Sequence, residues 1–209
     1  VNFVLVNDLP TLVWLANLAT LELHPLLSHA PDVERPTSVV FDLDPGPPAN
    51  ILDCCQVALW LRETFEALGL QAFAKTSGSK GMQLYVPLNT PVTYEETRPF
   101  AQAIALLLER QHKDKVVSTM TKSKRVGKVF IDWSQNAEHK STIAVYSLRA
   151  RERPTVSTPV SWDEIEEAHT NQDPGLLVFE SKDVLERVER LGDLFAPLNE
   201  LEQQLPALG

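Results

Sequence analysis

The chain has 209 residues, of which 44% are hydrophobic and 22% charged, and its formal net charge is −9. This length is enough for one large α/β domain with a sizeable core, and the composition excludes a disordered or collagen-like chain. The net negative charge argues against a protein that simply coats nucleic acid, because such proteins are usually basic, but it allows an enzyme with a local basic groove.

Apolar residues at helical spacing, together with capping residues, predict five helices. Asp8 is the predicted N-cap of the first, with Pro10 in its first turn, and the apolar residues that follow predict that this helix is buried. Gly69 is the predicted C-cap of the second. The helical segments in chain order are 11–19, 51–68, 93–110, 162–169 and 182 to about 191.

Short apolar and β-branched runs predict the strands. Because these runs alternate irregularly with the helices, we expect a mixed sheet with helices packed on it. We also expect residues 1–209 to form a single domain. The runs are 1–6, 21–25, 38–43, 71–75, 82–86, 116–120, 128–132 and 143–148, the last of which is either a strand or an extended segment.

Two general features of the sequence bear on localisation and on metal sites. No apolar run approaches the roughly 20 residues of a membrane span, and no signal peptide is recognisable, so we expect a soluble, cytoplasmic protein without a membrane partner. The cysteines, Cys54 and Cys55, are adjacent and have no zinc-site spacing. We interpret them as core thiols on a helix.

The first chemical motif lies at the end of the predicted strand 38–43. Asp42 and Asp44 are two residues apart, so both would project from the same face of the strand. Two neighbouring carboxylates repel each other, and a divalent cation such as Mg²⁺ or Mn²⁺ would satisfy both. The alternative is that one aspartate caps the next turn and the other is exposed to solvent.

The second motif is the Gly/Ser loop within Lys75-Thr-Ser-Gly-Ser-Lys-Gly81, between two predicted strands. Small residues allow backbone N–H groups to approach an anion, while Ser77, Ser79 and Lys80 add hydrogen-bond donors and a positive charge. The loop is therefore a candidate triphosphate site, although it lacks the spacing of a Walker A motif. The alternative is a flexible hairpin loop.

A third acid and a set of basic residues complete the candidate site. Asp132 ends the predicted strand 128–132, and a third carboxylate beside the first two would make a two-metal site for in-line phosphoryl transfer possible. Alone, it would be interpreted as a capping residue. Arginine suits bidentate phosphate contacts, although a solvated charged loop is the alternative. The basic residues are Lys122, Lys124, Arg125, Lys128, Arg149, Arg151 and Arg153.

Four motifs together resemble the polymerase domain of bacterial ligase D, in the archaeo-eukaryotic primase superfamily. They are Phe41-Asp-Leu-Asp-Pro45, the loop motif ending at Gly81, Val129-Phe-Ile-Asp-Trp-Ser-Gln-Asn136 and Tyr146-Ser-Leu-Arg-Ala-Arg151. Trp14-Leu-Ala-Asn-Leu18 and Glu22-Leu-His-Pro25 also match. The likeness runs in order from Val4 to about Pro197. It implies a primase-like α/β (α+β) core with a mixed, largely antiparallel central sheet flanked by helices.

The resemblance also implies a role for each matched residue. Asp42, Asp44 and Asp132 would be the catalytic acids that hold Mn²⁺ or Mg²⁺. His24 would lie near the nucleotide sugar, although it is also compatible with a strand-end core histidine. The remaining nucleotide-binding residues would be Ser77, Ser79, Lys80, Gln83, Arg125, Gln135, Arg149 and Arg151.

The sequence departs from the family pattern in two ways. Gln83 stands where the family usually has a histidine, and glutamine can donate a hydrogen bond but cannot carry charge, so we expect nucleotide affinity to be retained but altered. The family also normally begins well before Val1, with basic and aromatic residues that grip the template and a 5′-phosphate. We expect the effect of lacking that segment to fall on DNA binding.

The resulting hypothesis is a metal-dependent nucleotidyltransferase. It would add ribonucleotides, in preference to deoxyribonucleotides, to the 3′-hydroxyl of a primer at DNA ends. The implied partners in end-joining repair are Ku and a DNA ligase. One alternative is a non-catalytic module of the same fold that binds DNA ends or nucleotides. A phosphohydrolase that uses the two aspartates of the first motif is a weaker alternative, because Asp44-Pro-Gly46 does not continue the haloacid-dehalogenase pattern.

Overall fold

The computed structural model describes residues 3–206 and is built around one six-stranded sheet. The strands are β1 (Ser38–Pro45), β2 (Phe73–Thr76), β3 (Met82–Pro87), β4 (Val116–Val117), β5 (Val129–Asp132) and β6 (Pro159–Val160). Their order across the sheet is β4-β5-β1-β3-β2-β6. Every neighbouring pair is antiparallel except β4 and β5, which are parallel. The prediction of a mixed, largely antiparallel sheet is confirmed.

Five α-helices flank this sheet, as predicted. The side chain of Asp8 accepts a hydrogen bond from the backbone N–H of Thr11 at 2.8 Å, so the predicted N-cap is confirmed. Gly69 follows the second helix in a left-handed conformation, with φ of 72°. Among residues 3–206, none of the helices has the length and apolar character to cross a membrane. The helices are α1 (Leu9–Asn17), α2 (Ile51–Ala67), α3 (Tyr94–Gln111), α4 (Trp162–Asn171) and α5 (Ser181–Leu191).

The main core lies on one face of the sheet. Val39, Phe41 and Leu43 of β1 alternate with residues of the opposite face and are fully buried in a cluster that includes α2, α3 and α4. Val40 instead points to the opposite face, where it belongs to a smaller cluster with Tyr85. The helices therefore cover one face, and the opposite face is left for the candidate site.

A buried asparagine extends the pairing of β1 and β5 beyond the last residue of β5. The side chain of Asn136 accepts a hydrogen bond from the backbone N–H of Val40 at 2.8 Å, and it donates one to the carbonyl of Val40 at 2.7 Å. Asn136 thus occupies the place that a further strand residue would take. Its side chain fixes the chain after Asp132 against the middle of β1.

Two of the strand predictions, those for 1–6 and 21–25, are wrong, and segment 143–148, predicted as either a strand or an extended segment, forms no strand. Residues 3–6 form no strand and are exposed, and Val1 and Asn2 lie outside the described residues. Segments 21–25 and 143–148 are not strands of the sheet, and the second contains a turn at Val145 and Tyr146. They run beside each other instead, and the N–H of Ala144 donates to the carbonyl of Leu23 at 2.8 Å. Val145 of the second segment packs against the smaller cluster of Val40 and Tyr85, so its apolar side chain covers the second face of the sheet without joining a strand.

The prediction that the first helix is buried is also wrong. Leu15 is the one buried residue of α1, and Trp14 is 51% exposed. The amino-acid pattern predicted a helix correctly, but its apolar residues do not face the main core. Strand β6 was not predicted, because it has two residues and begins with a proline.

Candidate active site

A row of four polar residues crosses the centre of the sheet. Asp42 of β1 lies directly opposite Asp132 of β5 on one side and Gln83 of β3 on the other, and Gln83 lies opposite Lys75 of β2. Directly opposed residues point to the same face of a sheet, and so does Asp44, two residues beyond Asp42. The three predicted acids therefore share the face that the helices leave open.

The surroundings of Asp42 disfavour its negative charge. Burial, with repulsion from Asp132 and Asp44, raises its pKa to about 6, although a hydrogen bond from Gln83 Nε2 at 3.2 Å to Asp42 Oδ1 and the nearby Lys75 act in the opposite direction. A carboxylate surrounded in this way is stabilised by a nearby cation. The site thus has the electrostatic character that a divalent metal would satisfy.

The other two carboxylates are held by protein donors. Asp132 Oδ1 accepts hydrogen bonds from the backbone N–H of Ser134 at 3.0 Å and its hydroxyl at 2.6 Å, while Gln135 Nε2 donates to Oδ2 at 3.0 Å. Asp44 forms ion pairs with Lys80 at 3.0 Å and Arg125 at 3.5 Å.

The acids therefore fit a hard cation by their chemistry and common face, but they are not already gathered around one point. Over residues 3–206, no three acidic, histidine or cysteine side chains are close enough to form a ready-made metal site. For all three aspartates to hold metal, Asp44 would have to release one or both of its basic partners.

The Gly/Ser loop lies directly on β1. Ser77 Oγ accepts hydrogen bonds from the backbone N–H groups of Ser79 at 3.3 Å and Gly81 at 3.2 Å, which closes the loop on itself. A Cβ atom at Gly81 would lie 2.2 Å from the carbonyl oxygen of Leu43, so glycine is required for this close approach. This contact fixes the distance between the loop and the two aspartates of β1.

Two arginines from the segment between β5 and β6 reach this loop. Arg149 Nη1 donates to the carbonyl of Ser77 at 2.8 Å, and Arg151 bonds to the hydroxyl of Ser79. A third arginine, Arg125, lies over Phe130 with its guanidinium carbon 3.7 Å from the ring centre. These three guanidinium groups and Lys80 of the loop line the same cavity as the acids.

Glu22 positions two of the predicted residues and was not itself predicted as part of the site. Its carboxylate accepts hydrogen bonds from the N–H of Ala150 at 2.8 Å and from Arg149 Nε at 3.1 Å, and it lies 3.1 Å from His24 Nε2. The bond from Ala150 is the largest cause, followed by that from His24, of a pKa lowered to about 2. Glu22 stays ionised and links the two segments that carry His24 and Arg149.

All twelve predicted site residues line one open cavity of about 460 Å³. Lys122, Lys124, Lys128 and Arg153 do not line it, so the wider basic set is only partly brought together. Thr142 lines the cavity but had no motif that could have indicated it, since its position depends on the path of segment 140–143. The twelve are His24, Asp42, Asp44, Ser77, Ser79, Lys80, Gln83, Arg125, Asp132, Gln135, Arg149 and Arg151.

Comparison with known proteins places this geometry in a family. A family model described as LigD, primase-polymerase domain, matches residues 1–195. The chain belongs to the LigD primase-polymerase domain family. Its resemblance to the ligase D polymerase domain, inferred above from the motifs, is thus confirmed.

Relatives of this LigD domain are similar over most of the chain. The multifunctional non-homologous end joining protein LigD of Mycolicibacterium smegmatis is 42% identical over 200 residues, which make up 95% of this chain and 26% of that protein. The bifunctional LigD of Bacillus subtilis is 34% identical over 187 residues, 89% of this chain and 30% of that protein. The chain thus spans less than a third of the length of these relatives.

A solved structure supports the same assignment. The polymerase domain from Mycobacterium tuberculosis ligase D, in complex with DNA, matches the fold with a TM-score of 0.84 and 40% identity. The match covers 93% of this chain and 68% of that one. The fold of the LigD domain described here is therefore that of a ligase D polymerase domain.

Proposed function

We propose that this LigD domain is the catalytic core of a nucleotidyltransferase that adds NTPs or dNTPs to a 3′-hydroxyl at DNA ends. The observation that carries the proposal is the row that places Asp132 directly opposite Asp42, with Asp44 on the same face and a basic loop beside them. Acids beside a basic cavity are the combination that phosphoryl transfer requires. We further propose that residues 1–209 act as one domain.

The acids would hold the metal. Asp42 and Asp132 are adjacent across two paired strands, and Asp44 would join them by exchanging its contacts with Lys80 and Arg125 for the cation. Two bound Mn²⁺ or Mg²⁺ ions would supply activation of the attacking 3′-hydroxyl and neutralisation of the leaving pyrophosphate. Lys80 and Arg125, once released, would be free to bind phosphate oxygens.

The basic cavity would hold the triphosphate. Ser77, Ser79 and Lys80 lie on the loop that is docked on β1, and Arg149 and Arg151 are already bonded to that loop. These groups would bind and orient the phosphates relative to the acids, with Arg125 from the opposite side. In this arrangement Gln83 and Gln135 donate their amide hydrogens next to the acids, and His24 lies at the cavity wall.

The biological setting follows from the relatives. They are named as non-homologous end joining proteins, and the solved relative is in complex with DNA. We propose that this domain acts on primer-template DNA at broken ends, with Ku and a DNA ligase as partners. Phosphate contacts would position the DNA, because the candidate site is rich in arginine and lysine.

The deciding experiment compares the wild type with Asp42→Ala in nucleotide extension of a primed, gapped DNA in the presence of Mn²⁺. We expect the variant to lose at least about 10²–10³-fold in kcat, the scale on which one electrostatic contact to a developing charge acts. Asp114→Ala is the matched control, since Asp114 is exposed and does not line the cavity. Full extension by the Asp42→Ala protein would contradict the proposal.

The same assay separates the catalytic proposal from the alternative of a non-catalytic module. A binding module would show Mn²⁺-dependent binding of nucleotide without extension of any primer. A phosphohydrolase would release phosphate or pyrophosphate without a primer.

A further inference from the structure

Lys75 is a fully buried basic residue behind the cavity that the proposed mechanism does not use. It is 1% exposed, and no acidic side chain of residues 3–206 lies within ion-pair distance of its ammonium group. Burial of a charged group without an ionic partner is costly, and desolvation lowers the pKa of Lys75 to about 7. An apolar side chain of similar length could fill this space, so the lysine calls for an explanation other than packing.

The contacts of the ammonium group lead towards the cavity. Lys75 Nζ donates to Gln83 Oε1 at 2.7 Å and to Ser157 Oγ at 2.7 Å. Ser157 in turn donates to the carbonyl of Thr76 at 2.9 Å, which ties it to the backbone of β2. Lys75 is thus anchored on one side and has Gln83 as its contact on the other.

This contact determines which way the amide of Gln83 faces. The amide oxygen faces Lys75, whose Nζ donates to it, and the hydroxyl of Tyr85 also donates to that oxygen at 3.3 Å. The NH₂ group must then face the opposite direction, where it donates to Asp42 Oδ1 at 3.2 Å. In the reversed orientation, the amide oxygen would face the carboxylate of Asp42 and the NH₂ group would face the ammonium.

We propose that Lys75 is a positioning residue, which holds Gln83 with its NH₂ group towards Asp42 and the cavity. One amide hydrogen then bonds to Asp42, and the second is available to an oxygen of the ligand. This inference rests on the proposed function, in which that ligand is the nucleotide triphosphate. It assigns a role to Lys75 that is exerted through Gln83 and not by contact with the substrate.

A double-mutant cycle on the full chain tests this role. Lys75→Met removes the donor but keeps the length of the side chain, and we expect the KM for nucleotide to rise about 5–10-fold, the effect of losing one polar contact, while kcat changes less. In a Gln83→Leu background, the same substitution should have no further effect on KM. Thr158→Val is the matched control, because it removes a buried hydroxyl that contacts neither Lys75 nor Gln83.

A measurement without metal, nucleotide or DNA separates this inference from the proposed function. The side-chain ¹⁵N–¹H₂ signals of Gln83, assigned by their loss in Gln83→Leu, should be sharp and well dispersed in the wild type and in Thr158→Val. In Lys75→Met they should move towards the positions of mobile glutamines. This readout does not depend on turnover, so it remains informative if the wild type extends no primer.

Two outcomes would overturn the positioning role. One is an equal rise in KM on Lys75→Met in both backgrounds, which would mean that Lys75 acts independently of Gln83. The other is unchanged Gln83 signals in the folded Lys75→Met protein. If that variant fails to fold, Ser157→Ala loosens the ammonium group without emptying its place, and unchanged Gln83 signals in Ser157→Ala would then contradict the role.

Discussion

The two sides of strand β1 have opposite properties, although they are built from alternating residues of one eight-residue segment. Val39, Phe41 and Leu43 are fully buried against the helices, while Asp42 and Asp44 face the cavity. The two environments share one strand and differ in what lies above each face. Neighbouring residues of a single strand thus either stabilise the fold or form the candidate site.

This difference indicates how the sheet tolerates, in its centre, charged groups whose burial destabilises the fold. A carboxylate with a raised pKa and a buried ammonium group lie on one face, two strands apart in the same row. The opposite face of the same strands buries large apolar side chains, which contribute favourably to folding. Removing the charge of Asp42 on one face and truncating an apolar side chain on the other should therefore change stability in opposite directions.

The largest effect on folding is expected for Leu43→Ala. Leu43 is fully buried between the strands and α2, so the substitution should lower the free energy of unfolding by about 2–5 kcal/mol. Urea unfolding followed by circular dichroism measures this change. A loss below about 1 kcal/mol would show that the apolar face does not carry the stability of β1.

A smaller effect of opposite sign is expected for the adjacent Asp42→Asn. In the folded protein the pKa of Asp42 is about 6, above that of an unfolded chain, so the folded state binds the extra proton between about pH 4 and 6. Protonation of Asp42 therefore stabilises the folded wild type at low pH. This stabilisation is lost as the pH rises through 6.

Asp42→Asn removes this pH-dependent loss of stability, because asparagine does not ionise. Without metal, we expect the variant to be more stable than the wild type by about 1–3 kcal/mol at pH 8 and by almost nothing near pH 4. Urea unfolding at the two pH values gives the comparison. Equal stability of the two proteins at pH 8 would mean that Asp42 is not destabilised by its surroundings.

The smallest effect is expected for Glu22→Gln at the rim of the cavity. Glutamine cannot keep the ion pair with Arg149 while also accepting from Ala150, so Arg149 and His24 lose their common anchor. We expect the KM for nucleotide to rise about 2–10-fold, and kcat to change little. Glu138→Gln is a suitable control, since Glu138 also lies near a histidine but does not line the cavity. An unchanged KM would remove Glu22 from the list of positioning residues.

Much of the sheet and of the site could be predicted from local patterns. The strand with Asp42 and Asp44 has alternation that specifies both its conformation and its two faces, and the helices have clear capping residues. The site residues lie in short motifs whose order matches a known family. Their assembly around one cavity could be expected from that resemblance, but not from spacing alone.

The remainder depends on contacts between distant segments. Whether an apolar segment such as 21–25 joins the sheet depends on its partner, and it pairs with 142–144 outside the sheet. Glu22 stands in a motif that matches the family, but its role as an anchor could not be predicted, because its partners Arg149 and Ala150 are more than 120 residues away. Lys75 belonged to the loop motif, but its burial and its bond to Gln83 follow from the pairing of β2 with β3.

The pairing of Asn136 with Val40 has a consequence for how the chain length can vary. Because one side chain fixes both backbone groups of Val40, the path from Asp132 to Asn136 must contain three intervening residues. An insertion or deletion between them would either withdraw the third acid from Asp42 or leave buried backbone groups unsatisfied. The exposed turn immediately after Asn136 has no such constraint, so length changes among homologues are expected to fall there.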